Sequence, residues 1–366
     1  NTLACEREAL LVESLSWKRF FRSEGEEKVD QESPRRERSR RLALAEKKID
    51  RSYWIAALIL TVGVRLYLFK NYYTINNDGV IYIEAARHFW EREWGEGLAS
   101  FYPPLFPWMI ASVYPLVRDW ELAGQFWPLV LSVLMLLPLF ALLRTIYGSR
   151  VAHMALLFYG ISPYLARLSL EVRTELPYTF FLVSALYLFQ RGMDRGNLLA
   201  FFSTGLSSAL AYLIRPEGAG LIIVGVSFLV YRRWIMERLE KCGLKAAVLI
   251  LGFVIFSTPY ILYLRWDTGS WTISRKTGLI VSMALAKHGV DLEDASMMES
   301  DQVSLVHFIA SQPLVYFRKV LVDAFRSLGF YFEALHYSYL PFLFIGWFFF
   351  FRQRFWRKGD FFLLAF

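Results

Sequence analysis

The chain has few of the residues that build sites in soluble proteins. Its 366 residues include two cysteines and five histidines, and charged residues make up only 20%. Two cysteines exclude a disulfide framework, and the histidines never occur in the close pairs typical of a His-based metal site. No glycine-rich nucleotide loop, serine elbow or His-Glu-x-x-His helix is present. Nucleotide-dependent, serine-hydrolase and zinc-protease chemistry therefore has little support.

Apolar residues, in contrast, are abundant and occur in long runs. They make up 55% of the chain, above the roughly 45–50% of soluble domains, and several runs approach the length of about 20 residues that crosses a bilayer as a helix. Aromatic residues make up 17%, which suits a membrane bundle with interfacial anchors. The net charge of +8 is shared among loops, so nucleic-acid binding is not favoured.

The apolar runs predict seven membrane spans in the first part of the chain. Their approximate ranges are 53–69, 121–145, 150–166, 174–190, 197–213, 217–232 and 244–264. A further run at 339–351 and a run that is cut off after 361 predict additional spans. Leu105–Val117 is also apolar, but it is short and contains Pro107 and Pro115, so it is predicted to be a juxtamembrane helix.

Charge placement predicts the orientation of these spans. Residues 1–52 hold 24 charges, and the connectors Arg232–Lys245 and Arg352–Lys358 are basic, so all three are expected in the cytoplasm. The chain changes side at each predicted span. Counting the spans from these cytoplasmic segments places 71–120 and 265–338 outside the cytoplasm. In the second external segment, the amphipathic stretch Pro313–Leu328 is typical of a helix in the membrane interface.

The predicted fold is therefore an all-α polytopic membrane protein with four parts. A charged cytoplasmic tail, 1–52, precedes a seven-span module, 53–264, which contains the external loop 71–120 and its juxtamembrane helices. A second external loop, 265–338, follows, and further spans at 339–366 end inside an apolar run, as expected for part of a longer protein.

The strongest local candidate for chemistry is Asp78, in the segment Asn76–Arg87 just beyond the first span. Its carboxylate suits an N-cap of the following helix, on which Glu84 lies one turn from Arg87. An ionisable group at the mouth of a membrane bundle is also a functional candidate. Both interpretations stay open at this point.

Four other segments lie at predicted external ends. Phe101–Trp108 has the pattern of an interfacial aromatic turn. In Glu171–Pro177, two carboxylates, Glu171 and Glu175, flank an arginine, which favours either an internal ion pair or binding. Arg215–Gly218 lies at an external hairpin, and the adjacent cations Arg275 and Lys276 suit either a phosphate group or a solvated loop.

Taken in order, these motifs resemble the C-type (GT-C) glycosyltransferases, in the superfamily of the protein O-mannosyltransferases (PMT) and lipid A aminoarabinose transferases. The matching residues are Asp78 with Tyr82 and Glu84-Ala85-Ala86, Tyr102-Pro103-Pro104-Leu105, Arg173-Thr174-Glu175-Leu176-Pro177, and Arg215-Pro216-Glu217-Gly218. The resemblance covers about residues 53–351.

The resemblance implies seven conserved spans with external loops after the first and the seventh. It also implies a sugar donor linked to a polyprenyl phosphate, and an acidic residue at the active centre that corresponds to Asp78. The aminoarabinose transferases carry Glu-Lys before Pro-Pro, where this chain has Phe101-Tyr102, and an arginine where it has Ile81. These departures argue against that specific activity and leave dependence on a divalent metal open, with no other cofactor implied.

On this basis, Asp78 is the predicted general base of an inverting transfer from a polyprenyl-phosphate sugar to an acceptor hydroxyl on the external side. Fixed cations would stabilise the leaving phosphate. The donor phosphate is assigned to Arg275, Lys276, Arg215 and Arg173. Substrate binding is assigned to Tyr82, Glu84, Tyr102, Glu171, Glu175 and Glu217.

The expected partners are membrane lipid, the lipid-linked sugar, and a glycolipid, polysaccharide or protein acceptor. The expected location is the bacterial inner membrane, with the N-terminus in the cytoplasm and the active site facing the periplasm. Two alternatives are a transporter or flippase of a lipid-linked substrate, which predicts ionisable groups near mid-span and broken helices, and a non-catalytic scaffold subunit.

Overall fold

A computed structural model describes residues 50–71, 76–234, 241–275 and 313–334, with residues 339, 341, 344–346 and 348. Every secondary-structure element in these ranges is a helix, as the sequence predicts. The helices are α1 Asp50–Asn71, α2 Asn77–Trp90, α3 Trp94–Ala99, α4 Leu105–Val117, α5 Trp120–Leu134, α6 Leu136–Tyr147, α7 Ser149–Ile161, α8 Pro163–Leu168, α9 Glu175–Arg195, α10 Leu198–Tyr212, α11 Gly220–Trp234, α12 Cys242–Thr268 and α13 Pro313–Ala334, with a 3-10 turn at Pro216–Ala219.

Contacts divide the chain into two compact units, Asn1–Ala56 and Ala57–Phe366. The described residues of the first unit are the beginning of α1, and all later elements belong to the second. The domain boundaries predicted from the sequence stay predictions.

Three described helices are long and apolar enough to cross a membrane. They are α1, the continuous stretch Trp120–Tyr147 formed by α5 and α6, and α12. Met135 joins α5 to α6 with helical backbone angles of −54° and −29°. Pro138 explains the interruption at Met135, because it has no N–H group to donate a backbone hydrogen bond to the preceding turn. These three helices coincide with the first, second and seventh predicted spans.

The predicted spans between them are also helical but shorter or more polar. The predicted span 150–166 is broken in two, because Ser162 is extended before Pro163 and a residue that precedes proline disfavours helical angles. The predicted span 217–232 begins with the 3-10 turn before α11. The seven-span count and the orientation stay predictions.

Within the predicted external loop 71–120, helices α2 and α4 pack against each other. Tyr82 and Ile83 of α2 share a buried cluster with Phe106 and Ile110 of α4. The backbone N–H of Leu105 donates to the carbonyl of Leu213, 2.9 Å away. This bond ties the beginning of α4 to the end of α10.

Several predicted features lie mostly outside the described residues. These are the tail before residue 50, Cys5, Lys276, and most of the C-terminal spans. A helix, α13, does occupy the predicted amphipathic stretch, with Leu314, Phe317 and Phe325 exposed. Its place in the membrane interface stays a prediction.

Helices α10 and α12 approach closely because glycines face each other between them. A Cβ atom on Gly205 would lie 2.1 Å from the carbonyl oxygen of Leu249, and one on Gly252 would lie 2.3 Å from that of Phe202. At the far end of the pair, the hydroxyl of Tyr212 donates to the carbonyl of Ile273 at 2.8 Å. The pair therefore fixes the two segments that follow α10 and α12, which carry Arg215 and Arg275.

The substitution Gly205→Ala is expected to force these helices apart, since its new methyl group collides with backbone that cannot rotate away. Overpacking of this kind costs about 1–3 kcal/mol of unfolding free energy. Thermal unfolding of the detergent-solubilised protein measures it. Gly243→Ala is the control, because a Cβ at Gly243 of α12 meets nothing within 4 Å. Equal melting temperatures for the two variants would contradict the close approach.

Candidate active site

Asp78 lies in the first turn of α2, where its exposed carboxylate sits favourably at the positive end of the helix dipole. The prediction that Asp78 caps the helix is wrong. The helix already begins at Asn77, and its N-cap residue, Asn76, makes no side-chain cap bond. Asp78 instead accepts a hydrogen bond from Tyr102.

Tyr102 and Tyr82 form an aromatic pair beside Asp78. Their ring centroids are 4.6 Å apart, and Phe106 packs edge-on against Tyr82 at 5.1 Å. Tyr82 is buried, and its hydroxyl lies 3.4 Å from the Oγ1 atom of Thr174, just before α9. The pair thus links α2 to the segment Arg173–Pro177 predicted from the sequence.

The environment keeps both phenols protonated. Burial raises the pKa of Tyr102 to about 12, with the hydrogen-bonded Asp78 carboxylate raising it further and the Arg215 guanidinium opposing them. Burial also raises the pKa of Tyr82 well above its usual range, although the hydrogen bond with Thr174 opposes the shift. Tyr102 is therefore a hydrogen-bond donor across the physiological range.

Arg215 approaches this group from the end of α10. Its extended backbone precedes Pro216, and its Nη1 lies 3.4 Å from Oε1 of Glu175, while its Nε lies 3.7 Å from Oε2 of Glu217. The guanidinium also lies over the ring of Tyr178 at 5.8 Å. Since Arg215 and Glu175 both act electrostatically on Tyr102, they belong to the same site.

These residues form one site at the meeting point of several helix ends. We call it the Asp78 cluster, and it consists of Asp78, Tyr82, Tyr102, Thr174, Glu175 and Arg215. Glu217 borders it through Arg215. One further feature suits ligand binding: Oε2 of Glu175 is buried and has no hydrogen-bond partner in the described part of the chain.

Glu171 and Arg173 form a separate ion-paired group. Glu171 is 2% exposed, and its two oxygens lie 2.8 Å from Nε of Arg167 and 3.0 Å from Nε of Arg173. A bridged carboxylate of this kind fixes the backbone before Thr174. The described contacts do not join Arg173 to the Asp78 cluster.

The remaining candidates are placed as follows. Arg275 pairs with Asp267 at the end of α12. Glu84 is exposed on α2 and has no described contact with the cluster. Lys276 lies outside the described residues. Among the residues that the structure describes, no group of three or more His, Cys, Asp or Glu side chains is arranged to hold a metal ion.

Residues 102–263 match the model of the Dolichyl-phosphate-mannose-protein mannosyltransferase family. The range includes Tyr102, Thr174, Glu175 and Arg215 of the cluster. This part of the chain is PMT-like. The resemblance that the four short motifs suggested is therefore confirmed. No curated protein sequence is significantly similar to the chain.

Solved structures of an archaeal GT-C enzyme share the fold. The oligosaccharyltransferase of Archaeoglobus fulgidus in its apo form aligns with 72% of this chain at 15% identity and a TM-score of 0.51. The same organism's oligosaccharyltransferase AglB, in complex with an inhibitory peptide and a dolichol-phosphate, aligns with 79% at 14% identity and a TM-score of 0.51. This chain covers only 36% and 38% of those two chains.

The PMT-like motifs do not identify every residue of the site. Thr174 belongs to a quoted motif, but its partner Tyr82 is 92 residues away, a distance that no local pattern bridges. Sequence analysis also gives no reason to single out Tyr178 or Asp267. Tyr178 is recognised by its contact with Arg215, which is distant in the sequence and close only in the fold. Asp267 is recognised by its pairing with Arg275, eight residues later.

Replacing the buried carboxylate in Glu171→Gln is expected to lower the unfolding free energy by about 1–3 kcal/mol. The loss stays below the 3–5 kcal/mol typical of a fully buried pair, since Arg167 and Arg173 are 60% and 31% exposed and can be hydrated. Denaturant unfolding in detergent measures it. Glu91→Gln, at an exposed position after α2, is the control, and equal stability of the two variants would refute the structural role.

Proposed function

We propose that the chain is an integral-membrane glycosyltransferase that moves a sugar from a polyprenyl-phosphate donor to an acceptor hydroxyl. The observation that carries the proposal is the convergence of Asp78, Tyr102, Glu175 and Arg215 from four separate motifs. A carboxylate, neutral donors and a cation in one place are the groups that such a transfer needs. The match over residues 102–263 supports the same reaction class.

In this mechanism Asp78 takes the proton of the acceptor hydroxyl while the oxygen attacks the anomeric carbon of the sugar. The bond between that carbon and the phosphate oxygen breaks in the same displacement, and its electron pair leaves with the polyprenyl phosphate. A single displacement inverts the anomeric centre. The hydrogen bond from Tyr102 holds one side of the carboxylate, so that the other side remains available to the acceptor.

Arginines would stabilise the negative charge that grows on the leaving phosphate. Arg215 is 29% exposed and keeps further N–H groups beyond those that face Glu175 and Glu217. Arg275 has a buried Nε without a hydrogen-bond partner in the described residues. Lys276 and Arg173 complete the proposed set. Interactions that strengthen at the transition state raise turnover more than they tighten binding.

Polar and aromatic groups around Asp78 are suited to a sugar. Oε2 of Glu175 is a buried acceptor that a sugar hydroxyl can satisfy. The half-buried ring of Tyr102, which packs on the buried ring of Tyr82, offers an apolar face. Glu84, Glu171 and Glu217 remain proposed contributors to the substrate pocket.

The donor is proposed to reach the site from the bilayer, which explains why the sequence needs no nucleotide loop. One solved oligosaccharyltransferase holds a dolichol-phosphate and a peptide, which supports a lipid-linked donor and includes protein among the acceptors. Glycolipid and polysaccharide acceptors are the other two classes. The proposed site faces the external side of the membrane.

Transport of a lipid-linked substrate is the second candidate, and Arg65 favours it. This arginine is fully buried within α1, and ionisable groups inside spans are typical of transport pathways. Release of free polyprenyl phosphate from a defined donor separates the two functions, since a flippase leaves the glycosidic bond intact.

The purified protein is expected to release polyprenyl phosphate from at least one polyprenyl-phosphate sugar when an acceptor is present. Asp78→Asn should lower this rate about 100-fold to 10,000-fold, the usual effect of losing a general base. Glu91→Gln, an exposed carboxylate near the end of the same helix, should retain the rate. Normal transfer by folded Asp78→Asn would refute the role of Asp78, and movement of intact donor across vesicles would favour transport.

Tyr102→Phe is expected to lower turnover about tenfold, since a hydrogen bond to a charged group contributes ~1.5 kcal/mol or more. The tilted ring contact with Tyr82 is kept, so KM should change little. Because burial raises the pKa of Tyr102 to about 12, the difference from the native enzyme should persist to about pH 10, where an ordinary tyrosine is half deprotonated. Tyr114→Phe, in α4, is the control; a difference that vanishes before pH 10 would contradict the assignment.

A further inference from the structure

Arg65 is a fully buried guanidinium inside α1. Its Nε donates to Oγ of Ser132 at 2.7 Å, and its Nη1 donates to the carbonyls of Thr61 and Gly160 at 3.1 and 3.4 Å. The guanidinium lies 5.2 Å from the centre of the Tyr159 ring. One side chain thus joins α1 to α5 and α7, and we call this arrangement the Arg65 clasp.

Stability alone does not account for the clasp. Nη2 of Arg65 is buried and has no hydrogen-bond partner, and among the described residues no carboxylate pairs with the guanidinium. Burying a charge without a counter-ion is costly, and an apolar side chain of similar size often replaces such a group without loss of stability. An apolar residue cannot form directional hydrogen bonds. The bonds from Arg65 to Ser132 and Gly160 limit how far α5 and α7 can slide along α1.

Helix α5 carries this restraint to the Asp78 cluster. Ser132 lies nine residues after Ala123, which is about 13 Å along the helix axis. Ala123 belongs to the buried cluster that holds Tyr82. Next to it, a Cβ atom on Gly124 would lie 2.7 Å from Cγ1 of Val172, just before Thr174. The helix that Arg65 fixes at one end therefore packs at its other end in the cluster that holds Tyr82 and against Val172, two residues before Thr174.

We propose that Arg65 is a positioning residue, which holds α5 in register so that α2 and the Thr174 segment present the Asp78 cluster in its working geometry. The consequence for activity rests on the proposed transferase function, whereas the consequence for helix register does not. The two can therefore be tested separately.

The register is tested by disulfide cross-linking between α5 and the Thr174 segment. A Cβ atom on Gly124 would lie 3.3 Å from the Cβ of Val172, near the separation of about 3.8 Å in a disulfide. The double variant Gly124→Cys/Val172→Cys is made in the full chain, with Cys5 and Cys242 changed to serine. The rate of cross-linking by a membrane-permeant oxidant is then compared with and without Arg65→Met.

Arg65→Met should slow this cross-link severalfold, because α5 is no longer held in one register. Arg65→Lys keeps the charge and part of the hydrogen bonding. Its cross-linking rate should therefore lie between the rate with native Arg65 and the rate with Arg65→Met. Lys70→Met removes an exposed charge from the same helix and should have no effect. An unchanged rate in Arg65→Met would overturn the proposal, and thermal unfolding establishes that each variant is folded.

Turnover and KM are then measured in the release assay. Arg65→Met should lower turnover by up to about 100-fold with little change in KM, since misplacement of reacting groups by about 1 Å has that effect. The turnover of Arg65→Lys should lie between those of Arg65→Met and the native protein. A slowed cross-link with unchanged turnover would overturn the positioning role. If the native protein releases no polyprenyl phosphate from any donor, the proposed function fails, and the cross-linking rates still decide whether the clasp exists.

Discussion

The structure depends on one constraint, which is that hydrocarbon offers no hydrogen bonds to a polypeptide backbone. An apolar chain in a membrane must pair its own N–H and C=O groups, and helices do so within one segment. Groups that need polar partners then collect where helices begin and end. Asp78 lies in the first turn of α2, Glu175 in the first turn of α9, Arg215 just after α10 and Arg275 just after α12. The candidate site is a meeting of helix ends because those ends are where charge is tolerated.

This constraint explains how much of the fold is predictable from the sequence. Long apolar runs predict α1, the Trp120–Tyr147 helix and α12, because length and composition are local properties. The short run Leu105–Val117 also forms a helix of the predicted length. The break before Pro163 is local as well, since it lies in a Ser-Pro pair, but a count of apolar residues misses it.

The candidate site is predictable only in its parts. The motifs around Asp78, Tyr102, Glu175 and Arg215 are visible in the sequence, yet nothing local indicates that Tyr102 donates to Asp78 or that Arg215 faces Glu175. The N-cap expected for Asp78 fails because the helix begins two residues earlier than that cap implies, a difference that propensity does not determine. Arg65 is missed altogether, because its partners Ser132 and Gly160 lie 67 and 95 residues away in the sequence.

Ion pairing holds the three described arginines that are proposed to face the donor phosphate. Arg215, Arg173 and Arg275 each lie against a carboxylate, so each is held in place before any ligand arrives. A paired arginine retains N–H groups for a second acceptor, and a fixed donor needs little reorganisation when charge develops on a leaving group. For the proposed transfer, three paired arginines are therefore better suited to transition-state stabilisation than three free ones, although each attracts a resting ligand less strongly.

Packing far from Asp78 decides whether these groups meet. The glycines between α10 and α12 set the position of the segments that carry Arg215 and Arg275, and the bond from Leu105 to Leu213 ties α4, which follows Tyr102, to the same end. On the other side, α5 contacts both α2 and the segment before Thr174. The cluster is thus held between two helix packings, one made by close glycine contact and one by a buried arginine. Since neither packing depends on the charges of the site, the charges can be arranged for a reaction without also having to hold the fold together.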